Sequence, residues 1–222
     1  MLRRKIELCM TLLLLVGMII VSKKLSQLVS SENVQAKKVV VVIDAGHGGH
    51  DPGKVGVNDA LEKDINLQIA EKVKKYLEKN EIEVVMTRED DVMEDTKLED
   101  MKKRVALINK TKPVITVSIH QNSYSDPNVK GAQVFFFTGS EVSKEAASLM
   151  QEELRKIDSE NIRQIKGNNE FYMLKKTEVP TIIVECGFLS NPGEAEKLVS
   201  EEYQEQMAQA ICSGIMTWLS QP

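Results

Sequence analysis

Three residues in this 222-residue chain combine reactive chemistry with a position that could use it: His47, His120 and Glu185. Each follows an apolar, β-branched run, residues 39–43, 114–119 and 181–184, that reads as a buried strand. If those strands are parallel, two imidazoles and a carboxylate meet at one edge of the sheet, where open α/β folds place their ligands. That trio suits metal-assisted or acid–base hydrolysis. A carboxylate at the end of an apolar strand is costly to desolvate alone, so Glu185 implies a metal or bound substrate beside it. Glycines 46, 48 and 49 allow positive φ and let the loop fold closely around His47, as a metal ligand requires. Taken singly, His47 also fits a loop histidine satisfied by backbone, and His120 a hydrogen-bonded core histidine.

Glu62 has two readings. Asp59-Ala60-Leu61-Glu62 has the form of a capping box on a helix starting near Asp59, and residue physics alone favours that cap. As a second carboxylate it would instead complete a His, Glu, His set around a tetrahedral zinc with one position open to water.

The elements that must position these groups alternate β and α. Leu61, Ile65, Ile69, Val73 and Leu77 repeat every four residues as the apolar stripe of a helix packed on a sheet. Residues 82–87 read as a second strand, 98–109 as a second helix, and 131–138, with Phe135-Phe136-Phe137, as a further strand. Val142, Ala146, Met150 and Leu154 mark a third helix, and Tyr203, Met207, Ile211, Ile215 and Leu219 a closing one. The expected fold is a single α/β domain, its central sheet largely parallel (mixed), flanked by helices on both faces, with the site at the carboxyl ends of the strands.

Charge divides the chain unevenly. Arg3, Arg4, Lys5, Lys23 and Lys24 outnumber Glu7 and Glu32 at the start, so the net charge of −4 hides a basic leader and an acidic body. Arg3-Arg4-Lys5 ahead of the uncharged residues 8–22 forms a positive n-region and an apolar h-region. Residues 1–36 are therefore expected to be a signal peptide or membrane-associated signal anchor plus linker, with Val34-Gln35-Ala36 as a cleavage candidate, and residues 37–222 the catalytic domain. An acidic body with one tryptophan and no basic stripe argues against nucleic acid as partner. Cys9, Cys186 and Cys212 lack the paired spacing of a disulfide framework and read as buried hydrophobes.

Four separated motifs carry a resemblance. They are Asp44-Ala45-Gly46-His47-Gly48-Gly49 with Asp51-Pro52-Gly53; Glu62-Lys63-Asp64 with Asn66-Leu67; Ser118-Ile119-His120-Gln121-Asn122; and Val184-Glu185-Cys186-Gly187-Phe188-Leu189-Ser190-Asn191. In this order they resemble the zinc-dependent N-acetylmuramoyl-L-alanine amidases of the amidase_3 type. The resemblance implies one Zn2+ on His47, Glu62 and His120, with Glu185 as catalytic carboxylate, and so overrides the cap reading of Glu62. It implies peptidoglycan as the substrate, cut between N-acetylmuramic acid and L-alanine outside the cytoplasm. A compact domain behind an export segment is most similar to the sporulation members, which implies muramic-δ-lactam formation in the spore cortex, in the forespore envelope, with an activating protein partner left open. Asn122, Ser190 and Asn191 are candidate substrate contacts, although turns and caps account for them as well. His50, Gln121 and Cys186 depart from the family pattern; His50 is either a surface residue or an extra substrate contact. Two rivals stand: a catalytically silent peptidoglycan-binding or scaffold protein of the same fold, and a cysteine hydrolase built on Cys186 with His120. The second is weaker, because strand alternation turns Cys186 away from Glu185.

Overall fold

The computed structural model describes residues 4, 6, 10, 14–24 and 38–221. Residues Met1–Lys38 and Val39–Pro222 form separate units. In the first, residues 14–24 are helical, and no helix among the described residues is long and apolar enough to cross a membrane. The cleavage candidate Val34-Gln35-Ala36 and residues 8, 9 and 11–13 of the apolar run lie outside the described residues.

The second unit is built on a six-stranded sheet in the order β2-β1-β3-β6-β4-β5, with β1 Val40–Ala45, β2 Glu83–Met86, β3 Ile115–Asn122, β4 Gln133–Phe136, β5 Lys166–Gly167 and β6 Thr181–Phe188. The pairs β1–β2, β1–β3, β3–β6 and β4–β5 are parallel, and β4 runs antiparallel to β6, so the sheet is mixed as expected. Six helices complete it: α1 Glu62–Lys79, α2 Lys97–Thr111, α3 Glu141–Ile157, α4 Tyr172–Lys176, α5 Pro192–Leu198 and α6 Glu201–Leu219.

Side-chain alternation divides the core. Val41, Ile43, Ile115, Val117, Ile119, Ile182 and Val184 point to the face covered by α1, α3 and α6, where Ile65, Ile69, Val73, Met150, Leu154, Met207 and Ile211 meet them in one cluster. Each such side chain contributes about 1.5–3 kcal/mol on burial. The other face carries Val42 and Ile183, packed with Val105, Ile108 and Met173 or with Phe135 and Leu174 under α2 and α4. On that second face the apolar pattern fails near the strand ends, and Asp44, Ser118, His120 and Glu185 take its place. Register aligns them: Asp44 pairs with Ser118 and His120 with Glu185.

Two boundaries differ from the sequence reading. Strands β3 and β6 run on to Asn122 and Phe188, so His120 and Glu185 lie within strands rather than just beyond them. The first helix begins at Glu62, not near Asp59. Asp59 sits at φ 63°, Leu61 is the N-cap without a side-chain bond, and the first helical N–H groups donate to Lys54 O (3.0 Å) and Pro52 O (3.1 Å) instead.

Candidate metal centre

The loop leaving β1 presents His47 in the left-handed region, at φ 61°, with Gly48 and Gly49 also at positive φ. Gly46 is not among the positive-φ residues, so its glycine serves a different end from the one expected. Two buried arginines hold this exit. Arg88 donates to Ala45 O (3.0 Å), Gly46 O (3.2 Å) and Lys63 O (2.7 Å). Arg104 donates to His47 O (2.5 Å), to Ala45 O, to Asp100 (2.5 Å) and to Asp44 Oδ1 (3.0 Å). The carbonyls a tight loop would leave bare are thus met by rigid donor forks.

Asp44 anchors the arrangement from inside, accepting from Thr87 Oγ1 (2.6 Å), Ser118 Oγ (2.5 Å) and Arg104. Burial alone would raise its pKa, but the Arg104 charge and the two hydroxyls outweigh it and hold the carboxyl below the usual carboxylate range. Asp44→Asn is expected to cost about 3 kcal/mol of unfolding free energy, measured by urea titration near neutral pH, because it leaves the buried Arg104 with one carboxylate, Asp100, in place of two. A carboxylate with a depressed folded pKa stabilises above its unfolded value, and that stability is lost as pH falls through the folded one. The gap between variant and wild type should therefore be full near pH 7 and close below about pH 4.

Glu62, freed from any capping role, projects its carboxylate between the two histidines. Oε1 lies 2.9 Å from His120 Nδ1 and 3.3 Å from His47 Nε2. The same carboxylate accepts the backbone N–H groups of Gln121 (3.1 Å) and Lys54 (2.7 Å). Burial would raise its pKa, but the bonds to His120 and His47 prevail and hold it far below the usual range. His120 shows the reciprocal effect: burial pulls it down, the Glu62 carboxylate pulls harder, and it rises to about 9. One ligand atom from each of His47, Glu62 and His120 falls within a 4.8 Å set that could hold a metal ion.

Glu185 faces the same space from β6. Burial, with the Glu62 charge adding and His120 and His47 opposing, pushes it up to about 7. Its Oε2 is buried and has no hydrogen-bond partner among the described residues. Beyond it a cavity of about 340 Å³ runs from His47, His120 and Glu185 to a wall of Met101, Phe171 and Tyr172.

Asn122, Ser190 and Asn191 do not line this cavity. Asn122 Oδ1 accepts the Ser123 N–H (2.7 Å), Ser190 Oγ that of Tyr124 (2.9 Å), and Asn191 caps α5 through the Glu194 N–H (3.0 Å) while donating to Pro127 O (2.7 Å). His50 is exposed on the loop. Gln121 donates to Asn66 Oδ1 (3.1 Å), and Asn66 donates to Gly46 O (3.0 Å), so this departure from the family pattern supports the loop from beneath. Cys186 is fully buried on the α1, α3 and α6 face, and burial pushes its thiol well above the ordinary range. It cannot serve as a nucleophile beside His120, and the cysteine-hydrolase reading falls.

Arg104 and Asp51 were missed in the sequence, although each left a signal. Arg104 sits on the buried stripe of α2 with Val105 and Ile108, and an arginine there must find carboxylate and carbonyl partners. Asp51 lies four residues after His47 and accepts from its ring, Nδ1 to Oδ2 at 2.8 Å.

Comparison with known proteins agrees with this geometry. Residues 41–217 match the Amidase_3 family, described as N-acetylmuramoyl-L-alanine amidase. The germination-specific N-acetylmuramoyl-L-alanine amidase of Bacillus subtilis is 35% identical over 191 residues, 82% of this chain and 80% of that one. Among solved structures, the CwlD amidase from Clostridioides difficile, in complex with the GerS lipoprotein, has a TM-score of 0.80 at 37% identity, covering 82% of this chain and 99% of that one. The catalytic domain of CwlV from Paenibacillus polymyxa has a TM-score of 0.74 at 34% identity, covering 81% and 97%. With the family matched across its whole sheet and the motif residues gathered at one strand edge, the chain belongs to the Amidase_3 family of N-acetylmuramoyl-L-alanine amidases.

Proposed function

We propose that this amidase works with one zinc ion held by His47 Nε2, Glu62 Oε1 and His120 Nδ1, and that Glu185 is its catalytic carboxylate. The observation that carries the reading is the convergence of those three ligand atoms beside a buried, unpartnered Glu185 oxygen. Glu62 Oε1 lies 3.3 Å and 2.9 Å from the facing nitrogens of the two rings, and the three residues would hold a small cation between them. Two imidazoles and one carboxylate are also the donor set of hydrolytic zinc sites.

When bound, zinc supplies Lewis acidity, polarising an amide carbonyl and acidifying water. Glu185 accepts a proton from the attacking water and returns it to the leaving nitrogen. Burial raises its pKa above the usual carboxylate range, which favours a group that both takes and returns a proton. Met101, Phe171 and Tyr172 wall the cavity beside Glu185. That bond joins the lactyl group of N-acetylmuramic acid to L-alanine in peptidoglycan.

The germination-specific and CwlD relatives support a role in spore cortex maturation, where stem removal precedes muramic-δ-lactam formation. The GerS complex of CwlD supports a lipoprotein partner for this chain too. The basic n-region and apolar run support export by residues 1–36 to the extracytoplasmic side, and N-terminal sequencing of protein from the cell envelope distinguishes a cleaved signal from an anchor.

The test is stem release from purified peptidoglycan, read by mass spectrometry with and without a chelator. Chelation should stop release and added zinc should restore it. His47→Ala and His120→Ala should each lose the metal, and near-stoichiometric zinc retained in both would overturn the ligand assignment. A silent scaffold would release no stems in any condition.

A further inference from the structure

We propose that Asp51 is a positioning residue that fixes the tautomer and orientation of His47, and that Lys97, delivered from the start of α2, holds Asp51 in that role. The proposal rests on the zinc reading above for its consequence, but its structural half stands independently of the metal.

An imidazole offers a lone pair on only one nitrogen when neutral, and which one is set by the bond its other nitrogen makes. His47 Nδ1 lies 2.8 Å from Asp51 Oδ2, and its Nε2 faces Glu62 Oε1 at 3.3 Å. A carboxylate only accepts, so Asp51 at 2.8 Å favours the proton on Nδ1, in competition with Glu62 at 3.3 Å, and a cation between Glu62 and His47 would remove that competition by taking the Nε2 lone pair. Asp51 is itself fixed on its other oxygen. Oδ1 accepts Lys97 Nζ at 2.6 Å and the Gly53 N–H at 3.2 Å, and the carboxylate is 9% exposed. Lys97 is 65% exposed and lies 46 positions away in sequence, so an otherwise solvated lysine spends its charge on this one group. The bond matters more here than at an ordinary ligand, because His47 holds a positive φ that leaves its ring no regular secondary structure for support.

His120 provides the contrast. Its Nδ1 faces Glu62 directly, and no carboxylate bond to its other nitrogen is found among the described residues. Loss of Asp51 should therefore alter one ring and spare the other.

The experiment reads imidazole 15N shifts of the metal-free protein together with zinc affinity by chelator competition. In wild type, His47 should be the Nδ1–H tautomer. Asp51→Ala should shift it toward Nε2–H, leave His120 unchanged, and weaken zinc about 10–100-fold, the usual worth of an outer-shell carboxylate. Asp51→Asn keeps an acceptor oxygen for the ring and should retain the tautomer with a smaller loss. Lys97→Met removes no ring contact and tests the second half of the proposal: it should weaken zinc by less than Asp51→Ala, and an affinity equal to wild type would remove Lys97 from the role. Zinc affinity within about threefold of wild type in Asp51→Ala, with the His47 tautomer unchanged, overturns the proposal. A wild type that binds no zinc but shows the tautomer switch would sink the metal reading and leave the positioning role intact.

Discussion

Glu185→Gln is expected to lower turnover by about 10²–10⁴, the worth of a positioned general base, while zinc content stays near wild type. Glutamine keeps the shape of the side chain and cannot accept a proton from water. Folding should not suffer. Burial raises the Glu185 pKa, so the folded protein disfavours its charged form, and an uncharged isostere removes that cost. The melting temperature should be equal or higher in the variant. The pH profile gives a second readout with a definite sign. The base must be ionised to act, so wild-type kcat/KM should fall as pH drops below about 7, and a bound cation, by favouring the carboxylate, moves that limb lower. Glu185→Gln should lose the part of that limb that belongs to the carboxylate, leaving only what metal binding contributes. Cys186→Ala, on the opposite face of β6, should change neither the rate nor the limb. Full activity in Glu185→Gln would move proton transfer to another group.

Much of this site was legible because alternation is a strict rule. Residues 115, 117 and 119 had to share a face, as did 182, 184 and 186, which left His120 and Glu185 together on the other once the strands were parallel. Local signals were weaker wherever distant backbone intervened. Asp59-Ala60-Leu61-Glu62 has the letters of a capping box, but the carbonyls of Pro52 and Lys54 satisfy the helix start and Asp59 takes a positive φ, so the cap never forms. A mixed sheet was expected, but which strand runs antiparallel was not read, although the ten residues between β3 and β4 carry no helix for a parallel crossover. Helix α5 was likewise legible and overlooked: Asn191-Pro192 places a capping side chain before a proline in the first helical turn.

Gly46→Ala should abolish metal retention and lower stem release by at least about 10², comparable to losing a ligand. The cause is space, since this glycine is not in the left-handed region that strains other residues. A Cβ at Gly46 would lie 2.2 Å from His120 Cε1, 2.4 Å from Nε2 and 2.7 Å from Nδ1. Something must move, and neither neighbour moves freely. Gly46 is tied by its N–H to Ile119 O (3.1 Å) and by its carbonyl to Asn66 and Arg88, and His120 is bonded to Glu62. Overpacking of this kind costs about 1–3 kcal/mol, which a domain of this size can absorb. The misplaced imidazole is the larger loss, because a displacement of 1 Å can cost about 10² in rate. Gly139→Ala supplies the control: its Cβ would meet only Phe137, at 3.4 Å, and zinc and rate should be unchanged. Gly53→Ala should resemble Gly46→Ala, since its Cβ would lie 2.6 Å from both Glu62 Oε2 and His47 Cδ2, although there a φ of 67° adds backbone strain. Zinc analysis, stem release and a melting curve on the three variants separate the two causes. If Gly46→Ala keeps its zinc and its rate, the His120 ring is not where a ligand must be, and the donor set has to be redrawn around His47 and Glu62.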